Sequence, residues 1–221
     1  PEAFTRGILL NRSGARYVNE QLYGATIGEE MVERQDGVGI LIIDEALKEL
    51  ARKQVGRGKA QWFQTAPALL NLWFNARKAD SVEGLARICH MPVDQLEKTL
   101  REYNAVAQSG EKDPLGKATD ALQVLKPPYF AIDCSINSKR FPCPTLTLGG
   151  LVVDEQTGQV KRDDGSPILG LYAAGRTAVG ICSQQYVSGL SIADCVYSGR
   201  RAGRVLAAMG SEGTASNSKV A

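Results

Sequence analysis

The sequence predicts an α+β protein in which a helical or mixed first part is followed by a β-rich part that ends in one long helix. Three observations predict this. Between Pro92 and Gly110 the apolar residues recur at helical spacing. After about Lys126, short apolar runs alternate with Gly, Pro and Asp turns, which is typical of strands. From about Gly189 to Met209 the spacing is helical again. The 221 residues, 43% of them hydrophobic, suffice for one large core or two modest domains.

The first part opens with a hairpin signal and continues into several helices. A strand over 7–10, a turn over 11–14 and a short strand around Tyr17 form the hairpin. The buried run GILII then leads into a helix in DEALKELARKQ. Further helices are expected over 67–77, in SVEGLARICH and in MPVDQLEKTLREYNAVAQSG. Residues 112–125 have the polar composition of a linker.

The strands of the second part are expected in PPYFAIDCS, TLTLGG, LVVDEQTGQVKRDDG and LYAAG, each bounded by turn residues. The last helix should end at Gly210, because glycine is a common helix terminator. Residues 211–221 are polar and lack periodicity, which predicts a disordered tail.

Composition and charge exclude several classes of partner. Lys and Arg number 26 against 24 Asp and Glu, and no block of like charge occurs, so we expect neither nucleic acid nor an anionic membrane as partner. No apolar run approaches the roughly 20 residues that span a bilayer. Five cysteines without a CxxC pair and one histidine, His90, argue against a disulfide framework and against a metal site. They indicate a reducing compartment, and we expect a cytoplasmic location.

The stretch YAAGRTAVGICSQQYVSGLSIADCVYSGRRAGR joins a predicted strand to the long helix through a glycine-rich loop. The first-turn amides of a helix lack partners, so such a helix start attracts an anion or a polarised carbonyl oxygen. Glycine lets a ligand approach the backbone closely. On spacing alone the simpler explanation is preferred, namely that Gly175, Gly180 and Gly189 make turns and Ser188 caps the helix.

Longer motifs occur in a fixed order and extend nearly to Arg204. They are GILLNRSGARYVNE, LEKTLREYNAVAQSGEKDPLG, LKPPYFAID, and TLGGLVVDEQTGQVKRDDGSPILGLYAAGRTAVG with SGLSIADCVYSGRRAGR. Together they resemble the C-terminal part of the FAD-dependent fumarate reductase/succinate dehydrogenase flavoprotein family, and within it the 3-ketosteroid dehydrogenase branch. The resemblance implies the end of an FAD-domain segment over 1–20, a substrate-side capping domain over 21–130, the C-terminal part of a Rossmann-like FAD-binding domain over 131–210, and the tail over 211–221.

The resemblance implies FAD as the cofactor. In this family the helix start, here Leu190, Ser191 and Ile192, faces the pyrimidine edge of the isoalloxazine, where amides stabilise the charge that collects on reduction. The backbone is expected to pass close to the flavin or the substrate at four glycines: Gly149, Gly150, Gly175 and Gly189. Many relatives carry an acidic residue or Asn where this chain has Arg176. Arg176 is expected either to meet a phosphate of the cofactor or to be a surface charge.

The family binds the ADP half of FAD through an N-terminal βαβ unit with a G-x-G-x-x-G motif. The sequence lacks this motif, and GVGIL at Gly37 has neither the third glycine nor the following helix. We therefore expect the chain to be the C-terminal portion of a longer flavoprotein, with the missing N-terminal FAD-binding portion of the same protein as its partner.

The resemblance also implies the chemistry. Removing two hydrogens beside a ketone needs a polarised carbonyl, a base and a hydride acceptor; a tyrosine hydroxyl can serve the first two and FAD the third. Tyr186-Val-Ser188 resembles the Tyr-x-Ser of ketosteroid Δ4-(5α)-dehydrogenases, so Tyr186 and Ser188 are expected to be catalytic. Tyr23 is expected to be the partner tyrosine from the capping domain, ahead of Tyr129, for which a structural role at the domain edge is preferred.

An apolar ketone such as a 3-ketosteroid is the expected substrate. Fumarate reductases of the family clamp dicarboxylates with His and Arg, and His90 is the only histidine here. Two alternatives stay open: a reductase of fumarate-like enoates, and a non-catalytic fragment or subunit of a split flavoprotein.

Overall fold

The structure is a computed structural model that describes residues 2–55, 70–139, 147–181 and 183–217. It divides the chain into two compact units, Pro1–Thr145 and Leu146–Ala221, each with its own hydrophobic cluster. The expectation of mixed helix and sheet is confirmed. The division of the chain by role, into capping and FAD-binding segments, stays a prediction.

The first unit contains five α-helices and four strands within its described residues. The helices are α1 (Glu2–Arg6), α2 (Gly24–Arg34), α3 (Glu45–Val55), α4 (Val82–Cys89) and α5 (Val93–Ser109), and the strands are β1 (Ile8–Leu10), β2 (Ile40–Asp44), β3 (Arg77–Ala79) and β4 (Tyr129–Asp133).

These strands form one antiparallel sheet in the order β1-β2-β4-β3. In the register, Ile42 of β2 lies opposite Ile8 of β1 and Ala131 of β4. All five residues of β2 are buried. A continuous apolar run is what a strand needs when both faces of its sheet are covered, and α3 packs against β2 and β4.

Local signals set the ends of two helices that the sequence predicts, and for α5 the ends themselves are as predicted. Ser81 caps α4, its hydroxyl accepting a hydrogen bond from the Gly84 amide at 3.1 Å. Helix α5 follows Pro92 and ends at Gly110, which adopts a left-handed conformation with φ of 71°. These helix ends depend only on residues that neighbour them in the chain, so the local sequence is enough to set them.

Other elements of the first unit differ from the expectation. Helix α2 was not predicted. The helix expected over 67–77 lies partly outside the described residues, and its described end is a π-helical turn over Asn71–Asn75 followed by strand β3. In β3, pairing with β4 in the sheet replaces the expected helical continuation.

The polar segment expected to be a linker is part of the core of the first unit. Asp113 and Lys117 are almost fully buried. The guanidinium of Arg16 lies 2.7 Å from Asp113, and the ammonium of Lys117 lies 2.9 Å from Glu20. Because each charge has a partner of opposite sign, a polar stretch can be buried here. The linker predicted from its polar composition is therefore wrong.

The second unit contains β5 (Gln159–Lys161), β6 (Pro167–Tyr172) and α6 (Leu190–Asn217). Strands β5 and β6 pair antiparallel. No strand forms in the described residues 147–150 of TLTLGG, although Leu151 makes a parallel bridge to Ala178. Helix α6 continues past Gly210, so the predicted end there is wrong; glycine inside a helix costs only about 1 kcal/mol.

None of the helices in the described part of the chain combines the length and the apolar composition that crossing a bilayer requires.

Candidate functional site

The start of helix α6 contains a serine hydroxyl that forms no hydrogen bond within the described part of the chain. Gly189, with φ of +86°, turns the chain into the helix, and no atom lies within 4 Å of the position that a Cβ would occupy there. The amide of Leu190 donates to the carbonyl oxygen of Val187 at 3.2 Å. The Ser191 hydroxyl is buried and has no hydrogen-bond partner among the described residues. The helix start can therefore bind a further polar atom.

Tyr186 and Ser188 lie on the loop that leads directly into this helix. Tyr186 is partly exposed and Ser188 is exposed. Both residues precede Leu190, the first residue of α6, by a few positions in the chain. Their catalytic roles stay predictions.

The two other candidate tyrosines lie in the first unit and differ in burial. Tyr23 precedes α2 and is 47% exposed. Tyr129 is buried in β4, and this burial, with the nearby charge of Asp44, raises its pKa. A buried strand position fits the structural role preferred for Tyr129, whereas a catalytic role for Tyr23 stays a prediction.

The turn at Gly175 is fastened to helix α6 by a serine that sequence reasoning missed. The Gly175 amide donates to the Ser198 hydroxyl at 2.8 Å, and that hydroxyl donates to the carbonyl oxygen of Asp194 at 2.5 Å. A Cβ on Gly175 would lie 2.9 Å from the sulfur of Cys195. Glycine is thus needed here for the packing of the turn on the helix, and the sequence alone gave no signal for Ser198, because its partner belongs to another segment.

The two glycines of TLGG are in different surroundings. A Cβ on Gly150 would lie 2.7 Å from the carbonyl oxygen of Thr177, which is backbone and cannot turn away. A Cβ on Gly149 would have only the hydroxyl of Thr147 nearby, at 3.5 Å. Only Gly150 is held in place by close backbone packing, and a cofactor contact of either stays a prediction.

Arg176 is exposed and donates a hydrogen bond to the carbonyl oxygen of Thr147. The bond links the turn after β6 to the segment before Leu151. This bond does not decide between the two expected roles of Arg176, contact with a cofactor phosphate and surface charge. Both stay predictions.

Two hollows lie beside α6 within the second unit. A cavity of about 440 Å³ is lined by Gly175, Gly180, Asp194 and Ser198, among others. An open groove of about 1080 Å³ is lined in part by Gly189 and Ile192 at the helix start. Small-molecule sites are usually hollows of this order, about 300–1,000 Å³.

The described residues contain no group of three or more His, Cys, Asp or Glu side chains that could hold a metal ion.

Comparison with known families identifies the family of this chain and its cofactor. The family model described as an FAD binding domain matches residues 3–189. The chain belongs to the FAD binding domain family. FAD is the cofactor of this family, as the sequence motifs imply.

Individual relatives show which members of the family the chain resembles. The chain is 42% identical to the 3-oxo-5-alpha-steroid 4-dehydrogenase of Comamonas testosteroni over 176 residues. This matched region makes up 79% of this chain and 33% of that protein. It is 28% identical over 196 residues to the probable fumarate reductase Ifc3 of Shewanella frigidimarina, covering 89% of this chain and 30% of that protein. The chain thus spans about a third of the length of these curated relatives.

Among solved structures, the chain is similar to the 3-ketosteroid-Δ4-(5α)-dehydrogenase from Rhodococcus jostii RHA1 in complex with 4-androstene-3,17-dione. The TM-score is 0.69 at 33% identity, over 93% of this chain and 39% of that one. The resemblance to the ketosteroid dehydrogenase branch of the flavoprotein family is therefore confirmed.

Two separate features at the start of α6 are compatible with the cofactor of the family. The Ser191 hydroxyl is buried with its hydrogen-bonding capacity unused, which is what a polar ring edge would satisfy. The groove lined by Gly189 and Ile192 has the volume to admit a tricyclic ring.

Proposed function

We propose that this chain provides the cofactor-facing helix start and the active-site hydroxyls of an FAD-dependent oxidoreductase that acts on a CH–CH group next to a ketone. The observation that carries the proposal is the placement of Tyr186, Ser188 and the unpartnered Ser191 hydroxyl on one short stretch at the start of α6. FAD, when bound, supplies the acceptor for the hydride.

The residues of this stretch have distinct roles in the proposal. The Tyr186 hydroxyl donates to the ketone oxygen, or takes a proton from the carbon beside it, because a phenol can do either. Ser188 supplies a second hydroxyl to the same end of the substrate. The hydroxyl of Ser191 and the first-turn amides of Ser191 and Ile192 hold the pyrimidine edge of the cofactor ring. Tyr23 is the proposed partner tyrosine from the capping segment.

A 3-ketosteroid is the proposed substrate class. The identity of 42% to a 3-oxo-5-alpha-steroid 4-dehydrogenase supports this class over a dicarboxylate. Near the proposed site, Val187 is 49% exposed and Ile192 is 75% exposed. Such apolar side chains suit a steroid, which offers mostly hydrocarbon surface to a binding site.

We also propose that the ADP half of FAD is bound by another portion of the same protein, because no G-x-G-x-x-G motif occurs in these 221 residues. In this proposal residues 21–130 form the capping domain, and residues 131–210 are the C-terminal part of the FAD-binding domain. The cysteine pattern supports a cytoplasmic location, since five cysteines without a CxxC pair are typical of a reducing compartment.

The test uses the complete protein that contains this chain. Tyr186→Phe should keep the flavin absorbance and lower kcat with a 3-ketosteroid and an artificial electron acceptor by about 10²–10⁴-fold, the usual contribution of a positioned acid or base. Tyr172→Phe, a substitution in strand β6, is the matched control and should leave kcat unchanged. An unchanged kcat for Tyr186→Phe would remove this residue from the mechanism.

A reductase of fumarate-like enoates is the second candidate, favoured by the similarity to the probable fumarate reductase over 89% of this chain. Turnover of a dicarboxylate enoate with a reduced dye, and none of a ketosteroid, would select it. Absence of flavin from the complete protein would instead favour a non-catalytic subunit.

A further inference from the structure

Arg77 in the first unit is a half-buried cation whose guanidinium has no acceptor. The residue begins strand β3 and is only partly accessible to solvent. Within the described part of the chain, no carboxylate forms an ion pair with its guanidinium and no oxygen accepts a hydrogen bond from it. Arginine is seldom withdrawn from water unless an acceptor is near. Arg77 can therefore bind an acceptor that comes from outside the chain.

The acid on the same face of the sheet has another hydrogen bond. Arg77 lies opposite Ala131 of β4, and Asp133 is two residues further along that strand, so both side chains are on one face. This is a diagonal position, about 7–8 Å away. The Oδ1 atom of Asp133 accepts a hydrogen bond from the Ser135 amide at 3.1 Å. The register thus places a carboxylate near Arg77 without pairing the two.

The position of this strand is fixed by a buried asparagine. Asn75 is 1% exposed and ends the π-helical turn that precedes β3. Its Nδ2 group donates to the carbonyl oxygen of Asp133 at 3.1 Å. Turns of this kind are rare and occur frequently at functional sites, which supports a role for the groups around Arg77.

Arg77 lines two hollows of the first unit. One has a volume of about 370 Å³ and is also lined by Asp36 and His90. The other has a volume of about 360 Å³ and is lined, besides Arg77 and Asp133, by Asn75, Asn137, Ser138 and Lys139.

The charges around the two hollows differ, and the second suits an anion better. Asp36 and His90 lie at the C-terminal ends of α2 and α4. A helix C-terminus has a partial negative charge, and Asp36 adds a full one, so an anion is disfavoured in the first hollow. The second hollow instead adds the ammonium group of Lys139 and the amide of Asn137.

We propose that Arg77 and Lys139 bind the phosphate group of a small molecule in the second hollow. Arg77 donates to two phosphate oxygens, because the guanidinium fork matches their spacing, and Lys139 supplies a second positive charge. The Asn137 amide donates to a further oxygen. Asp133 opposes the dianion and limits its affinity. All of these residues belong to the first unit, whereas the flavin contacts proposed above belong to the second, so this assignment does not rest on the proposed function.

The experiment titrates the complete protein with inorganic phosphate by calorimetry at low ionic strength. Saturating FAD is present throughout, so that phosphate does not enter the cofactor site. Phosphate should bind with a Kd of about 1 mM or tighter. Acetate should bind at least about tenfold more weakly, because it offers one charge and two oxygens. Equal affinities for phosphate and acetate would overturn the proposal.

Arg77→Met is the decisive variant, since it removes the guanidinium and keeps the aliphatic stem. It should weaken phosphate about tenfold or more, as expected for lost charge-assisted hydrogen bonds. Lys78→Met is the matched control, because Lys78 is the next residue of β3, faces the other side of the sheet and pairs with Asp80 at 3.1 Å. This control should leave the affinity unchanged. An unchanged affinity in Arg77→Met, or an equal loss in Lys78→Met, would overturn the site.

Two further variants distinguish phosphate binding from a structural role of Arg77. Asp133→Asn should tighten phosphate about threefold or more, and Lys139→Met should weaken it by a similar factor, because one removes a repelling and the other an attracting charge. If Arg77→Met does not fold by circular dichroism, these two variants decide, and an unchanged affinity in either overturns the proposal. Failure of the complete protein to bind FAD would reject the proposed function, while the comparison of Arg77→Met with Lys78→Met would still test this site.

Discussion

The guanidinium of Arg16 lies 2.7 Å from the carboxylate of Asp113, although the two residues are 97 positions apart in the chain. Arg16 also donates to Glu20 at 2.8 Å, and Lys117 pairs with the same Glu20. Two cations and two carboxylates therefore join residues 16–20 to the segment after α5. Because the side chains are nearly inaccessible, solvent does not screen these pairs.

Removing one member of this cluster should destabilise the first unit strongly. Arg16→Met leaves two buried carboxylates with less compensation, and breaking a buried pair in this way costs about 3–5 kcal/mol. Arg52→Met is the control, because Arg52 pairs with Glu49 on the exposed surface of α3, where such a pair contributes about 0–1 kcal/mol. Urea denaturation monitored by circular dichroism measures both. Similar unfolding free energies for the two variants would contradict the structural role given to Arg16.

The same cluster should make the protein sensitive to acid. Burial opposes ionisation of Asp113, but the hydrogen bonds from Arg16 and from the Lys117 amide outweigh it and lower the pKa of this carboxyl. A group whose pKa is lowered on folding contributes stability above its unfolded pKa, about 3.9 for Asp, and loses that contribution as the pH falls through the folded value. Unfolding free energy should thus fall below about pH 4. In Asp113→Asn this acid-dependent loss should be smaller; an identical pH profile would refute the assignment.

The TLGG glycines provide a matched pair of substitutions. Gly150→Ala should lower the stability of the second unit by about 1–3 kcal/mol, the cost typical of overpacking, since the added methyl meets the backbone of Thr177. Gly149→Ala meets only a side chain at contact distance, so its effect should be within about 0.5 kcal/mol. Thermal unfolding distinguishes the two. Equal melting temperatures would show that the segment before Leu151 packs differently.

Gly189 and Gly110 provide a second matched pair. Both have positive φ, +86° and +71°, and neither has an atom within 4 Å of a Cβ position. Alanine at either position should cost about 1–2 kcal/mol from backbone strain alone. Only Gly189→Ala should also weaken flavin binding by the complete protein, because Gly189 lines the groove at the start of α6 and Gly110 does not. Equal flavin affinities in the two variants would place the cofactor ring elsewhere.

The candidate site could be predicted only in part. Tyr186, Ser188 and Ser191 could be named as candidates because they stand in one contiguous motif, and their roles stay predictions. Ser198 and Asp194 were missed, although they fasten the turn or line the cavity. Nothing in their spacing distinguishes a serine or aspartate on the buried side of a helix from one on the solvent side, since the packing partner belongs to another segment.

The sequence by itself determined the elements whose signals are local. Helices α4 and α5 begin and end at capping residues that act on their own backbone, and strand β2 is an apolar run that ends in Asp44. Family membership could also be predicted from the sequence, because the motifs of the family are contiguous stretches of chain.

Only the tertiary structure decided which polar residues are buried. The segment of Asp113 and Lys117 has the composition of a linker, yet long-range partners at Arg16 and Glu20 bring it into the core. Strand β3 likewise exists because β4 offers it an edge. The physical reason is the same in both cases: the free energy of burying a charge or extending a strand depends on a partner that is distant in sequence, and composition carries no record of that partner.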